Sequence, residues 1–164
     1  MRENILPEQE KTMKKQFKLT QAGIDELKSE LDKLVAKRSD IADAIKSARE
    51  QGDLSENAEY QAARGDQEKN EARITEVENI LQNVEIIKKP RSDSKVQLGT
   101  VVKLKAGSKE KQFQVVGTVE ADPLNGKISD ESPIGQAMIG KTVGDTVEIS
   151  TPAETVKYKI TDIG

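Results

Sequence analysis

Residues 20–52 read TQAGIDELKSELDKLVAKRSDIADAIKSAREQG, and their apolar side chains recur alternately three and four positions apart. This spacing is the heptad pattern of an α-helix that buries one narrow stripe against a partner helix. Thr20 is a suitable N-cap before the stripe, and Gly52 interrupts the helix after it. The sequence therefore predicts one long helix, with a stripe formed by Ile24, Leu27, Leu31, Leu34, Arg38, Ile41, Ile45 and Ala48.

A second stripe with the same spacing predicts a second helix that continues to about residue 85. It comprises Glu56, Tyr60, Ala63, Gln67, Asn70, Ile74, Val77, Leu81 and Val84. Two helices joined by a short turn must lie antiparallel. Folding the chain about the turn places Leu31 near Ile74 and Arg38 near Gln67, so both stripes become polar at the same height. The predicted finger is about 45 Å long, and its apolar stripe thins toward the turn.

The composition narrows the chemistry that the chain can perform. It contains no Cys and no His, which excludes disulfides, zinc fingers, thiol nucleophiles and Ser-His triads. A metal would need carboxylate, carbonyl and water oxygens, which suit magnesium or manganese. The net charge of −3 argues against generic nucleic-acid binding through a basic surface. Because no apolar run approaches the roughly 20 residues of a membrane span, we expect a soluble, cytoplasmic protein without membrane association.

The periodicity changes after a polar linker, residues 88–95, which read KKPRSDSK. Beyond it, partial alternation of β-branched residues predicts four strands, over residues 96–104, 112–119, 146–150 and 156–163. Ser132 and Pro133 are suited to start a short helix over residues 133–139. The predicted fold class is α+β. We expect a flexible N-terminal extension over residues 1–16, an antiparallel coiled-coil finger over 17–87 and a mostly antiparallel-sheet domain over 96–164.

The predicted turn carries two carboxylates within residues 49–60, which read REQGDLSENAEY. Asp53 and Glu56 are three apart at a helix start, so their side chains can share one face and hold a divalent ion together with another molecule. The same spacing is typical of a capping box with Asp53 as the N-cap, and spacing alone favours that interpretation. Two exposed carboxylates do not fill the coordination shell of an ion, so the residues by themselves leave the role open.

Several long segments carry a family resemblance. Residues 48–60 read AREQGDLSENAEY and residues 62–64 read AAR; residues 128–135 read ISDESPIG and residues 139–145 read IGKTVGD. Together with Leu19 and Thr20 at the opening of the finger, these segments resemble the GreA family of bacterial transcript-cleavage factors. The resemblance covers residues 17–163, nearly the whole chain.

The resemblance implies an FKBP-like C-terminal domain that docks on the rim of the RNA polymerase secondary channel while the finger enters toward the active site. Asp53 and Glu56 would be the catalytic residues, holding a loosely bound Mg²⁺ jointly with the polymerase and orienting a water. The polymerase itself would hydrolyse the backtracked RNA and release its 3′ fragment. This chain would then be a monomeric factor that acts in trans, is not itself an enzyme, and binds no metal tightly when isolated.

The resemblance also implies roles for residues outside the carboxylate pair. Arg49, Asn57 and Tyr60 would support the tip through positioning or through contacts with RNA and polymerase. Packing alone explains Tyr60 equally well, because this residue lies on the predicted stripe. The docking residues that the resemblance suggests are Asp130, Ser132, Pro133 and Ile134. A helix start accounts for the second and third of these just as well.

The chain departs from the family pattern on the second helix, where Lys69 replaces a usual aromatic residue and Ala72 a usual glycine. Three alternative functions are a channel-entering polymerase inhibitor of the same architecture, a prolyl isomerase and a coiled-coil chaperone. The tip keeps Asp-x-x-Glu without an added acidic run, which argues against the inhibitor. The C-terminal half offers only Phe113 and Tyr158 for the aromatic pocket of an isomerase, and a chaperone tip should be apolar rather than acidic.

Overall fold

Two long antiparallel helices form the finger, as the heptad spacing predicts. The computed structural model describes residues 16–50, 58–88, 95–150, 152 and 154–164. Helix α1 spans Gln21–Glu50 and helix α2 spans Ala58–Gln82. At 1.5 Å per residue, α1 is about 45 Å long. Its buried side chains include five of the predicted stripe, Ile24, Leu27, Ile41, Ile45 and Ala48.

A polar layer in the middle of the finger aligns the two helices. Asn70 is 5% exposed, and its side-chain amide donates a hydrogen bond to the Leu34 carbonyl at 3.0 Å. This contact agrees within one residue with the predicted alignment of the helices. Arg38 differs from the prediction, since its guanidinium leaves the stripe and pairs with Glu71 at 2.6 Å. A charged group on an exposed face avoids the desolvation that burial against Gln67 would require.

The base of the finger contains a two-stranded parallel sheet that the heptad pattern does not predict. Strand β1, Phe17–Leu19, pairs with strand β2, Val84–Ile86. The second helix therefore ends at Gln82, before the predicted end near residue 85. Here the helices pack against β1 as well as against each other, so Ile80 is buried instead of the predicted Leu81.

The C-terminal part, which we call the sheet domain, consists of a five-stranded sheet and one short helix, and this confirms the α+β class. Its elements are β3 Val101–Ala106, β4 Lys109–Val116, β5 Lys127–Ser129, α3 Pro133–Met138, β6 Thr146–Ser150 and β7 Thr155–Ile163. The strand order is β5-β4-β3-β7-β6. Neighbouring strands are antiparallel except β4 and β5, which are parallel.

Alternation along the strands separates a core face from a solvent face. On β3, Val102 and Leu104 are buried while Lys103 and Lys105 are exposed. The predicted strand over residues 96–104 begins only at Val101, because the N–H of Val96 donates instead to the Lys141 carbonyl at 2.8 Å. Strand β5 has three residues, too few for alternation to reveal it in the sequence.

The sheet domain touches the base of the finger through the chain that follows β4. A 3₁₀ turn spans Thr118–Glu120, and a second spans Pro123–Asn125. Gly117 lies so close to β1 that a Cβ atom at this position would overlap the Lys18 carbonyl oxygen. The two parts are therefore in direct backbone contact.

Some predicted segments lie outside the described residues. Of the predicted extension over residues 1–16, only Gln16 is described, and it is exposed. Of the predicted linker over residues 88–95, Lys88 and Lys95 are described. Among the described helices, none combines the length and the apolar character that a membrane crossing requires.

Candidate functional site

The described residues on both sides of the predicted tip are Glu50, the last of α1, and Ala58, the first of α2. Asp53, Glu56 and Asn57 fall between these helix ends in the sequence and lie outside the described residues. Their predicted roles therefore remain predictions, including both the metal-holding and the helix-capping interpretation of the carboxylate pair.

Arg49 and Tyr60 meet across the distal end of the finger. The guanidinium carbon of Arg49 lies 5.8 Å from the centroid of the Tyr60 ring, within the range of a cation–π contact. Tyr60 is half-buried and packs against a distal cluster formed by Ile41, Ile45 and Ala63. The structure thus brings these two predicted support residues together, and it gives Tyr60 the packing role that its place on the stripe predicted.

Three basic side chains line a shallow groove behind the tip. Lys46 and Arg49 lie on α1, Arg64 faces them from α2, and Ala42, Ile45 and Gln67 complete the groove wall. Arg64 is held in place by a hydrogen bond of 2.8 Å to the Gln67 side chain. Such a groove presents three positive charges to an anionic ligand. Of these three residues only Arg49 is a predicted site residue, although the three-residue spacing of Lys46 and Arg49 on a helix is a usable signal.

The predicted docking residues follow β5 and extend into the first turn of α3. Ser132 is the N-cap of α3: its Oγ accepts from the Gly135 N–H at 3.0 Å and donates to the Ser129 carbonyl at 2.7 Å. Pro133 is the first residue of the helix and is exposed. The helix-start interpretation of these two residues is therefore confirmed.

The other two docking candidates have different surroundings. Ile134 is half-buried and packs against the core of the sheet domain, so it offers little surface to a partner. Asp130 is half-buried, and its N–H donates to the Val116 carbonyl at 2.9 Å. It lines a small cavity of about 160 Å³ between the sheet domain and β1, together with Phe17 and Glu131.

Glu131 is a surface acid in this region that is not among the predicted docking residues, although it lies within the ISDESPIG segment. Its side chain is exposed and accepts a hydrogen bond of 3.0 Å from the Thr118 hydroxyl. Glu131 and Asp130 therefore place two acidic side chains beside the exposed Pro133.

The two departures on α2 face solvent. Lys69 and Ala72 are both exposed, whereas Asn70 and Ile74 occupy the buried stripe. The helix continues through both positions without interruption. The replacement of a glycine at Ala72 therefore adds helix propensity without disturbing the packing between the helices.

Two further features bear on the kind of site. Within the described ranges, no group of three or more Asp, Glu, Cys or His side chains could hold a metal ion. Tyr158 is 2% exposed and belongs to the core of the sheet domain, and the half-buried Phe113 packs against the same core. These rings fill the interior rather than line a cleft, which argues against a prolyl isomerase.

The geometry defines a class of protein: a two-part factor in which a small α+β domain carries a projecting helical finger. A family model described as the N-terminal domain of transcription elongation factors matches residues 17–86. A second, described as the C-terminal domain of the transcription elongation factors GreA and GreB, matches residues 91–164. The chain belongs to the GreA/GreB family of transcription elongation factors.

Individual relatives agree with the family models. The chain is 52% identical over 141 residues to transcription elongation factor GreA of Acholeplasma laidlawii, covering 84% of this chain and 89% of the relative. It is 44% identical over 155 residues to transcription elongation factor GreA of Lactococcus lactis subsp. cremoris, covering 92% and 99%. Among solved structures, GreA factor homolog 1 of Thermus thermophilus is 30% identical, with 92% and 99% covered and a TM-score of 0.43.

Proposed function

We propose that this chain is a transcription elongation factor that enters the secondary channel of bacterial RNA polymerase and stimulates the polymerase to hydrolyse backtracked RNA. The observation that carries the proposal is the finger itself. Helix α1 has 30 residues, and at the distal end α2 contributes the small side chain of Ala63 and one tyrosine to the packing against Ile41 and Ile45. A slender projection of about 45 Å is suited to reaching a buried active site.

Asp53 and Glu56 are the proposed catalytic residues at the tip. Carboxylate oxygens are the ligands that Mg²⁺ prefers, but two of them leave most of its coordination shell to other groups. They would therefore hold the ion jointly with the polymerase, and the bound ion would supply an activated water for phosphodiester hydrolysis. The isolated chain would not hydrolyse RNA, since the remaining ligands and the substrate belong to the polymerase complex.

The basic groove behind the tip has a complementary role in this proposal. Lys46, Arg49 and Arg64 would contact phosphates of the backtracked RNA, whose 3′ end occupies the channel. Asn57 would assist at the tip itself, and Tyr60 would hold Arg49 in position through the ring contact. The net charge of −3 would then not oppose RNA binding, because only this groove would contact the RNA.

Docking would use the exposed Glu131 and Pro133 and the half-buried Asp130 of the sheet domain, while Ser132 and Ile134 would hold these residues in position. The factor would act as a monomer on the cytoplasmic polymerase. An acidic surface beside a rigid proline is suited to a basic rim on the partner.

The test is cleavage of RNA in a stalled, backtracked bacterial elongation complex with Mg²⁺ present. The unmutated chain should accelerate release of the RNA 3′ fragment, whereas Asp53→Asn and Glu56→Gln should bind polymerase with unchanged affinity and lose the stimulation. Glu59→Gln, which neutralises an exposed acid at the start of α2, serves as the matched control and should retain activity. Binding that slows cleavage would favour the inhibitor instead, and absence of binding would contradict the proposal.

A further inference from the structure

A carboxylate of the sheet domain contacts the first turn of the finger helix. Glu120, the last residue of the 3₁₀ turn after β4, is 9% exposed. It accepts hydrogen bonds from the Thr20 N–H at 2.9 Å and from the Thr20 hydroxyl at 2.7 Å. Thr20 is the predicted N-cap of α1, and its hydroxyl oxygen accepts from the Gly23 N–H at 3.1 Å. A negative charge at this position also complements the positive end of the helix dipole.

The chain leaves room for this carboxylate by having a glycine in the first turn of the helix. A Cβ atom at Gly23 would lie 2.5 Å from Oε2 of Glu120 and 2.6 Å from its carboxyl carbon. Glycine is unfavourable inside a helix. At Gly23 the Glu120 side chain occupies the space that the side chain of any other residue would fill.

A lysine joins the same contact from the sheet domain. Lys127 Nζ lies 3.5 Å from Oε1 of Glu120 and 3.1 Å from Oε2 of Glu26 on α1. Lys127 therefore neutralises the buried carboxylate and forms its own ion pair with the finger. Each part also has its own apolar core, centred on Leu27 and Val77 in the finger and on Leu104 and Tyr158 in the sheet domain. The Thr20–Glu120 contact is thus a join between two bodies that each have a separate core.

We propose that Glu120 is a positioning residue that fixes the direction in which the sheet domain points the finger. This inference rests on the proposed function. Because α1 is about 45 Å long, a tilt of about 5° at Thr20 moves the tip by about 4 Å. Misplacement of a reacting group by about 1 Å can reduce a catalytic rate by about a hundredfold. A carboxylate remote from the chemistry would therefore control the alignment of Asp53 and Glu56.

The first test measures the direction of the finger in the free, full-length protein. The chain has no cysteine, so cysteines introduced at the exposed positions Asp43 and Lys157 can be spin-labelled uniquely and their separation measured by electron–electron resonance. We expect one narrow distance distribution for the otherwise unmutated chain. Glu120→Ala should broaden it at least about twofold, whereas Glu110→Gln, which neutralises an exposed acid of the sheet domain, should leave it unchanged. An unchanged distribution in Glu120→Ala would overturn the proposal.

A second variant separates the contact from general damage to the fold. Gly23→Ala favours the helix but displaces the Glu120 carboxylate, so the distribution should broaden while helicity is retained or raised. On the Glu120→Ala background the obstruction is gone, and Gly23→Ala should then cause no further broadening. Additive effects of the two substitutions would contradict a shared contact.

The last experiment tests whether the direction of the finger controls the stimulation of RNA cleavage. At saturating factor, Glu120→Ala should stimulate RNA cleavage at least about tenfold less than the unmutated chain, with affinity for polymerase changed less than about threefold. A broadened distance distribution with full maximal stimulation would overturn the positioning role and leave the proposed function intact. No stimulation by the unmutated chain would overturn the proposed function and the positioning role with it, and the distance measurement would still decide whether Glu120 joins the two parts.

Discussion

The side-chain amide of Asn70 crosses the finger to donate a hydrogen bond to the backbone carbonyl of Leu34, and this contact is the polar layer between two apolar clusters. Toward the base lie Leu27 and Val77, and toward the tip lies the distal cluster around Ile41. The Asn70 Oδ1 atom is buried and has no hydrogen-bond partner among the described residues. A buried polar residue at a stripe position lowers stability while it fixes the alignment of the helices.

Replacing Asn70 with leucine should stabilise the finger. The substitution removes the unpaired acceptor and adds apolar contact, so we expect the free energy of unfolding to rise by about 1–2 kcal/mol. Thermal and urea denaturation followed by circular dichroism would measure the change. Gln61→Leu, on the exposed face of α2, is the control and should change stability by less than about 0.5 kcal/mol. A loss of stability in Asn70→Leu would show that the polar layer contributes more than alignment.

Replacement by alanine should have opposite effects on protein stability at Gly65 and at Gly117. Gly65 lies within α2, and a Cβ atom there would meet nothing within 4 Å, so Gly65→Ala should stabilise the protein by about 0.5–1 kcal/mol. At Gly117 the added atom would overlap the Lys18 backbone, so Gly117→Ala should destabilise by about 1–3 kcal/mol. Melting temperatures of both variants in one buffer provide the comparison. Equal shifts of the same sign would contradict the described contact between β1 and the sheet domain.

Asp145 should make the sheet domain sensitive to acid. Its carboxylate accepts from the Thr142 N–H at 2.8 Å and from the Thr142 hydroxyl at 3.0 Å, and these hydrogen bonds hold the pKa of Asp145 below its ordinary value. Because the folded-state pKa is lowered, the contribution to stability is present above the unfolded-state pKa of about 3.9 and is lost as the pH falls through the folded-state value.

Asp145→Asn tests this pH dependence. The variant should melt at a lower temperature than the unmutated chain at neutral pH, and the difference should shrink below about pH 4 as Asp145 becomes protonated. Melting curves across the acid range measure it, with the exposed helix substitution Asp43→Asn as the control. A difference that is constant between neutral pH and pH 3 would contradict a contribution from the ionised carboxylate.

The finger was predictable from sequence because a heptad stripe is a local and repeated signal. The positions Ile24, Ile45 and Val77 are buried where the stripe places them. The end of the second helix was not predictable in this way. Val84 continues the spacing, yet the chain leaves the helix there to pair with β1, a residue range more than sixty positions earlier. Periodicity within one segment carries no information about such a partner.

The candidate site was predictable in part for the same reason. Ser132 and Pro133 form the helix start that their local chemistry indicates. Arg49 contacts Tyr60 because the antiparallel alignment of the two helices places these residues opposite each other. The role of Glu120 could not be read from its neighbours in the sequence, since its hydrogen-bond partner Thr20 is 100 residues away. A long-range contact made by a single carboxylate produces no repeating pattern in the sequence.

Tyr60 distinguishes packing at the tip from direct contact with RNA or polymerase. Its ring joins the small distal cluster of Ile41, Ile45 and Ala63, and a cluster of this size should open locally more readily than the base of the finger. Tyr60→Ala should therefore accelerate amide hydrogen exchange at the distal ends of α1 and α2, leave the base unchanged, and reduce RNA cleavage. Tyr60→Phe keeps the ring and its contact with Arg49 and lacks only the hydroxyl, so exchange and cleavage should stay near those of the unmutated chain. If Tyr60→Phe preserved slow exchange but lost stimulation, packing of the ring would not account for the contribution of this residue.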